Sequence, residues 1–339
     1  MRTSVLFNQA AGTATLLVAL ALGSCGDDRS REGGMDPGIV IAVIPKGTTH
    51  SFWKAIHAGA AKASRELSVE IIWKGPARED DREAQIAEVE NFVSRGVSGI
   101  VLAPTDEKAL RLPVANAARS GIPVVIIDSD LDSTDYVSFV ATDNYEGGRL
   151  AGAHMIESLG GRGRVAMLRY MEGSASTMRR EQGFLDVIAE SPGIEMVSAN
   201  QYAGATAETA YQASENLLAR FKGADGSLSI DGVYCPNESS SFGMLRALED
   251  AALAGRVTLI GFDASEQMVR ALEEGSFEAL VLQDPVNMAY LGVKTMVAHL
   301  RGEAVEARID TGVTLITREN MNEPRMQELL RPDVDRWLN

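Results

Sequence analysis

Residues 97–128 read VSGIVLAPTDEKALRLPVANAARSGIPVVIID, and residues 230–263 read IDGVYCPNESSSFGMLRALEDAALAGRVTLIGFD. Both follow one plan: an apolar run, a proline with a polar loop, an amphipathic stretch, a glycine, a second apolar run and an aspartate. Runs that are apolar throughout are buried on both faces, and a helix between two of them makes them parallel neighbours. The same plan written twice predicts two similar α/β lobes, each a doubly wound parallel sheet with a loop rim at the carboxyl ends of its strands. In such open sheets ligands sit at that rim, so two facing rims form a cleft.

The pattern extends outward in both directions. Ten β-branched runs alternate with amphipathic stretches: IVIAVI, VEIIW, SGIVLA, PVVIID and YVSFVA, then GRVAMLRY, GIEMVSA, IDGVYC, VTLIGFD and FEALVLQD. Ten strands fit two sheets better than one. Between them, DDREAQIAEVENFVSRG carries Ile86, Val89 and Val93 at helical spacing, with Asp80 and Glu83 placed as a capping box rather than as metal ligands.

The amino terminus has a different character. Residues 1–24 combine Arg2, an apolar stretch over 16–22 and small residues before Cys25, the layout of a signal peptide. Leu22-Gly23-Ser24-Cys25 resembles a bacterial lipobox, which implies a lipidated Cys25, a tether over 25–37 and an anchored, exported protein, periplasmic or at the cell surface. The alternative is an ordinary cleaved signal with a chance cysteine. Cys235, the other cysteine, then has no partner in the chain and reads as a buried thiol. A net charge of −15 over 339 residues, with basic residues scattered among acids, argues against nucleic acid as a partner.

The residues at the strand ends carry the chemistry. His50, Phe52 and Trp53 follow the first run, Asp128 follows PVVII, Asn237 follows DGVYCP, Asp263 follows VTLIGF and Gln283 follows FEALVL, while Arg180 lies at the start of the helical stretch MRREQGFLDVIAE. Carboxylates accept from hydroxyls, amides donate and accept, a guanidinium donates from a planar fork, and aromatic faces cover the C–H side of a sugar ring. Each residue also has a plainer role. Asp128, Asp263 and Asn237 are placed as turn formers or helix caps, Gln283 as a partner for a crossover backbone, and Arg180 as a partner for Glu181 or Asp186. Phe52 continues the stripe of Ile56, Ala60, Ala63 and Leu67, so packing accounts for it. Adjacent helical residues point about 100° apart, so Trp53 falls off that stripe with His57 and Ser64 and is the better candidate to stack on a ligand.

Taken in order, THSFW, IPVVIID, ATDNYEGGRLA, RREQGF, YCPNESSSFGMLRALEDAA, LIGFD and VLQDP resemble the type I periplasmic solute-binding proteins, in particular the ribose-binding-protein-like sugar receptors of ATP-driven (ABC) importers. The resemblance spans almost the whole chain after the leader. It implies two lobes joined by a three-segment hinge near 141–144, 283–285 and 312–314, with a first lobe of 38–142 plus 284–312 and a second of 143–283 plus 313–339. It further implies that the eight residues above line the ligand site, that the lobes close like a hinge, and that an ABC permease and ATPase complex receives the ligand from a monomeric receptor without a cofactor. Three departures bear on the ligand. His50 and Ser51 stand where the family has Asn and Pro, Ser129 stands where ribose binders carry Arg, and Ala205 stands where many relatives place an aromatic. The ligand is therefore named by class, a monosaccharide or related polyol. The same fold also serves sensors that signal to a chemoreceptor or kinase. An enzyme acting on sugars is the more remote alternative: there is no phosphate loop, G-x-S-x-G, H-E-x-x-H or C-x-x-C, and His50, His57, His154 and His299 are dispersed.

Overall fold

The ten apolar runs fold as strands because both of their faces find helices to pack against. The computed structural model describes residues 38–224 and 226–339; the leader, Cys25 and the tether lie outside the described residues. The chain begins β1 (Val40–Ile44), α1 (Ser51–Leu67), β2 (Glu70–Trp73), α2 (Arg82–Arg95), β3 (Gly99–Leu102), α3 (Arg111–Arg119), β4 (Val124–Ile127) and β5 (Ser138–Ala141). It continues α4 (Asn144–Ser158), β6 (Gly163–Arg169), α5 (Ala175–Ala189), β7 (Ile194–Tyr202), α6 (Ala207–Phe221), β8 (Gly232–Tyr234), α7 (Glu238–Asp250), β9 (Thr258–Phe262), α8 (Glu266–Glu274) and β10 (Ala279–Leu282). It closes with α9 (Pro285–Leu300), β11 (Arg308–Asp310), β12 (Thr314–Thr317), α10 (Pro324–Leu330) and α11 (Asp335–Leu338).

One sheet has the order β11-β5-β4-β3-β1-β2, all parallel; the other has β12-β10-β9-β8-β6-β7, parallel except that β12 runs against β10. Alternation along each strand divides the first lobe's core. Ile41, Val43, Val101, Val125 and Ile127 face α1 and α9, while Ala42, Ile44, Ile100, Leu102, Val124 and Ile126 face α2 and α3. The second lobe repeats this arrangement with a core on either side of its sheet. The two segments quoted first are β3-α3-β4 and β8-α7-β9, which occupy equivalent places in the two sheets.

Three details differ from the sequence reading. β11 and β12 do not stand out as apolar runs, because they have three and four residues and sit half-exposed at the sheet edges. Asp81, not Asp80, caps α2, accepting from the Ala84 N–H at 3.0 Å, while Asp80 pairs with Arg78 on the surface. The end of the chain also leaves the second lobe, where the boundary 313–339 had placed it. Leu330 is buried in the second lobe's core, but α11 lies on α1 of the first, where the Arg65 guanidinium donates to the carbonyls of Arg336, Trp337 and Asn339 at 3.2, 2.9 and 3.2 Å.

The chain passes between the sheets after β5, after β10 and between β11 and β12. Past the first of these crossings, α4 and α5 pack so closely that a Cβ on Gly148 would run into the Arg180 carbonyl, and one on Gly183 into the Tyr145 carbonyl. These two glycines set the depth at which α5 carries Arg180 beneath the rim.

Candidate functional site

The two equivalent aspartates set the frame. Asp128 directly follows β4 and Asp263 directly follows β9, and both adopt the left-handed backbone region, with φ of 63° and 66°. Aspartate tolerates this region better than most side chains. Each N–H still bonds to the neighbouring strand, Asp128 to the Val140 carbonyl and Asp263 to that of Val281. The same backbone conformation therefore recurs at the same point of each lobe and leaves a carboxylate at each rim.

In the second lobe Arg180 is almost fully buried. Its Nε donates to Asn144 Oδ1 at 2.8 Å, one terminal nitrogen donates to the Pro236 carbonyl at 3.0 Å and lies 3.8 Å from Asp263 Oδ2, and the guanidinium lies 3.8 Å from the centre of the Phe262 ring. The surface pairing weighed from sequence does not form: Glu181 binds Arg169, and Asp186 accepts from the Tyr145 hydroxyl. Gln283 donates to Asp263 Oδ1 at 2.7 Å, and its own Oε1 is buried without a partner. Asn237 does cap α7, in a reciprocal box with Ser240, and it also faces the cleft.

The first lobe contributes residues whose role the sequence did not reveal. Lys46, just after β1, sets its Nζ 2.6 Å from Asp128 Oδ2 and reaches across the cleft to Ser176 Oγ at 3.0 Å and Ser174 Oγ at 3.4 Å. Glu79 is the hub of the opposite wall. It lies 2.5 Å from His50 Nδ1, accepts from Trp53 Nε1 at 2.8 Å, and accepts from the Tyr170 hydroxyl of the second lobe at 2.8 Å. Trp53 is thus no exposed stacking platform: it is 2 % exposed, less than Phe52 at 8 %, and the two rings meet edge to face 4.8 Å apart. The loop carrying Glu79 covers the helix face that periodicity left open, so both rings are core and cavity wall together.

All eight residues singled out from the sequence line one narrow cleft between the lobes, together with Lys46, Glu79, Ser174, Ser176, Thr177 and Glu238. A strand-end lysine and two acids in polar stretches give no local signal that sets them apart from solvated charges.

Burial alone would lower the basicity of His50, but the Glu79 carboxylate outweighs it and raises the pKa to about 9. Burial would likewise raise Glu79, but His50 and Lys46, with the Trp53 bond, hold it at about 2. For Asp263, burial pushes the carboxyl upward against Arg180 and Gln283, and for Glu238 it does so against His50 and two backbone N–H groups. Lys46 faces Asp128, His50 faces Glu79, Arg180 faces Asp263, and Glu238 faces the amino end of α1. Every charge in the cavity has a partner, while acceptors such as Gln283 Oε1 remain available to hydroxyl donors. A larger cavity on the hinge side has Phe52, Asp263 and Gln283 in common with the cleft and adds Ala55, Leu282, Leu329, Leu330, Pro332 and Val334. Lys46, His50, Glu79, Asp128, Arg180 and Asn237 line the cleft and not this cavity. Among the described residues no cluster of His, Cys, Asp or Glu suits a metal ion. Cys235 is buried, and burial pushes its thiol pKa upward.

Comparison with known proteins gives a consistent result. The family model described as periplasmic binding protein domain matches residues 41–304. The ribose import binding protein of Haemophilus influenzae is 29% identical over 277 residues, covering 82% of this chain and 91% of that one. A carbohydrate transporter solute-binding protein of Agrobacterium radiobacter, solved in complex with D-arabinose, is 36% identical with a TM-score of 0.81, covering 86% of this chain and 98% of that one. An ABC transporter solute-binding protein of Agrobacterium vitis with bound D-fucose is also 36% identical, with a TM-score of 0.81 and coverage of 86% and 99%.

Proposed function

Because the chain belongs to the periplasmic binding protein family, we propose that it captures a neutral monosaccharide or related polyol between its lobes and delivers it to the permease of an ABC importer. The observation that carries the neutral ligand is the complete pairing of charge in the cleft. An anionic ligand would meet carboxylates with no free cation, and a cationic one would have to displace Lys46 or Arg180 from its partner. Hydroxyl groups fit without either cost. In this reading Asp128, Asp263 and Gln283 accept from hydroxyls, Arg180 and Asn237 donate to them, His50 completes the wall, and Phe52 and Trp53 cover the ring. The sugars named with the relatives, ribose, arabinose and fucose, are of this class.

The same reading makes residues 1–24 an export signal and Cys25 the lipid anchor of a monomeric receptor tethered through 25–37. It takes 38–142 with 284–312 and 143–283 with 313–334 as the moving bodies, the last five residues riding on the first.

Thermal-shift screening of protein lacking the first 24 residues tests the ligand class. A ligand at 100 times its Kd stabilises by about 2.7 kcal/mol, a clear rise in Tm. D-ribose, D-arabinose, D-fucose or another neutral polyol is expected to give that rise, while galacturonate, glucose 6-phosphate and glucosamine are not. A panel in which only the charged compounds respond would exclude the neutral class.

A further inference from the structure

Helix α1 begins without a cap from its own chain segment. The N-cap residue, His50, makes no side-chain bond to the first turn, and that turn contains no acidic residue. The N–H groups of Ser51 and Phe52 are nevertheless satisfied. They donate to Oε1 and Oε2 of Glu238, each at 3.0 Å, from a residue 187 positions away in the other lobe. Glu238 is itself the first residue of α7, which is capped by Asn237 and has no need of that carboxylate. The Glu238 side chain thus lies where the positive ends of two helices, one from each lobe, come together.

The arrangement has a counterpart in the opposite direction. Helix α5, which follows the first strand of the second lobe as α1 follows that of the first, also lacks a side-chain cap from its own N-cap residue, Ser174. The N–H of Ser176 in its first turn donates to Ser129 Oγ of the first lobe at 3.0 Å. By contrast α2, α4, α6, α7, α8 and α9 are each capped by the side chain that precedes them: Asp81, Asp143, Thr206, Asn237, Ser265 and Asp284. The equivalent helices that carry Phe52, Trp53 and Arg180 are the ones capped across the cleft.

We propose that Glu238 and Ser129 are positioning residues that cap α1 and α5 in trans, so that both ligand-bearing helices are completed only when the lobes close. This rests on the reading of the cleft as the ligand site and deepens it. The first turns of α1 and α5 carry side chains that line the cavity, and each is held by a group that opening would withdraw. The two caps differ in strength, because a carboxylate bonding two N–H groups at a positive helix end outweighs a hydroxyl bonding one.

The test is amide hydrogen exchange on the protein with and without the neutral sugar that raises its Tm most; the Tm rise reads the ligand assignment and the exchange rates read the caps, so the two fail separately. In Glu238→Ala the Ser51 and Phe52 amides are expected to exchange at least tenfold faster than in the unaltered protein. The first-turn amides of α7, on which Glu238 itself sits, change by less than threefold. In Ser129→Ala the Ser176 amide exchanges faster by a smaller factor, and the amides of α1 follow in the same direction, because loss of either cap shifts the lobes toward opening. Glu238→Gln keeps one acceptor oxygen and lies between, which provides a readout even if Glu238→Ala does not fold. Unchanged rates at Ser51, Phe52 and Ser176 in these variants, or an increase confined to α7, would overturn the proposal.

Discussion

Arg180→Ala is expected to abolish measurable sugar binding and to cost the protein about 3–5 kcal/mol of stability, the range for removing one partner of a buried ion pair. The guanidinium makes directed bonds to Asn144 and to the Pro236 carbonyl, lies on the Phe262 ring, and is the cation nearest Asp263. Alanine leaves Asp263 buried and without its cation, with Gln283 as its remaining side-chain donor. It also leaves two buried acceptors without their donor, each at roughly 1–3 kcal/mol. Binding suffers further because the fork is one of the donors that the cleft offers to hydroxyl oxygens. Arg180→Lys retains a charge but not the planar fork, so it cannot serve Asn144 and Pro236 together while lying on Phe262. It is expected to fold with an intermediate melting temperature and to bind at least tenfold more weakly. Thermal melts and titration calorimetry on the two variants check both numbers, and an alanine variant that melts and binds like the parent would remove Arg180 from the site.

Glu79→Gln is expected to cost roughly 3 kcal/mol near pH 6, at the low end for breaking a buried ion pair, and to change how stability depends on pH. Glu79 is depressed from 4.5 to about 2, so its contribution is complete above pH 4.5 and is lost as pH falls toward 2. His50 is raised from 6.5 to about 9, so its contribution is complete below pH 6.5 and is lost as pH rises toward 9. The pair therefore stabilises most between about 4.5 and 6.5, and the protein should lose stability from pH 6.5 to 9. In the glutamine variant His50 has lost the carboxylate that raises it, so that alkaline decline should be largely absent. Melting curves of both proteins at intervals from pH 6 to 9 make the comparison, and parallel declines would show that the pair is not coupled as its geometry requires.

How much of this was legible follows from how local each signal is. The strands were readable because burial on both faces makes a continuous apolar run, which needs no distant partner to be recognised. Asp128 and Asp263 were readable because the same strand-to-loop grammar occurs twice, and the structure adds that both take the same left-handed backbone. Arg180 was ambiguous, since acidic neighbours in its own helix offered a surface explanation that the packing of α4 on α5 rules out. Glu79 was invisible within the run REDD, where an acid reads as solvated. Its partners lie 26 and 91 positions away, and no periodicity links them. Trp53 was assigned to an open face for the same reason: helical periodicity describes one helix, not the loop and lobe that cover it. The return of α11 to the first lobe depends on Arg65 finding carbonyls more than 270 positions along the chain, again beyond any local pattern.

The most direct measurement is a crystal structure of the protein with the neutral sugar that raises its Tm most. The expected result is one ring held between the lobes, with its hydroxyls on Asp128, Arg180, Asp263 and Gln283 and its carbon face toward Phe52 and Trp53. A sugar seated instead in the hinge-side cavity beneath Leu329, Leu330 and Pro332, with Asp128 and Arg180 uninvolved, would contradict the assignment.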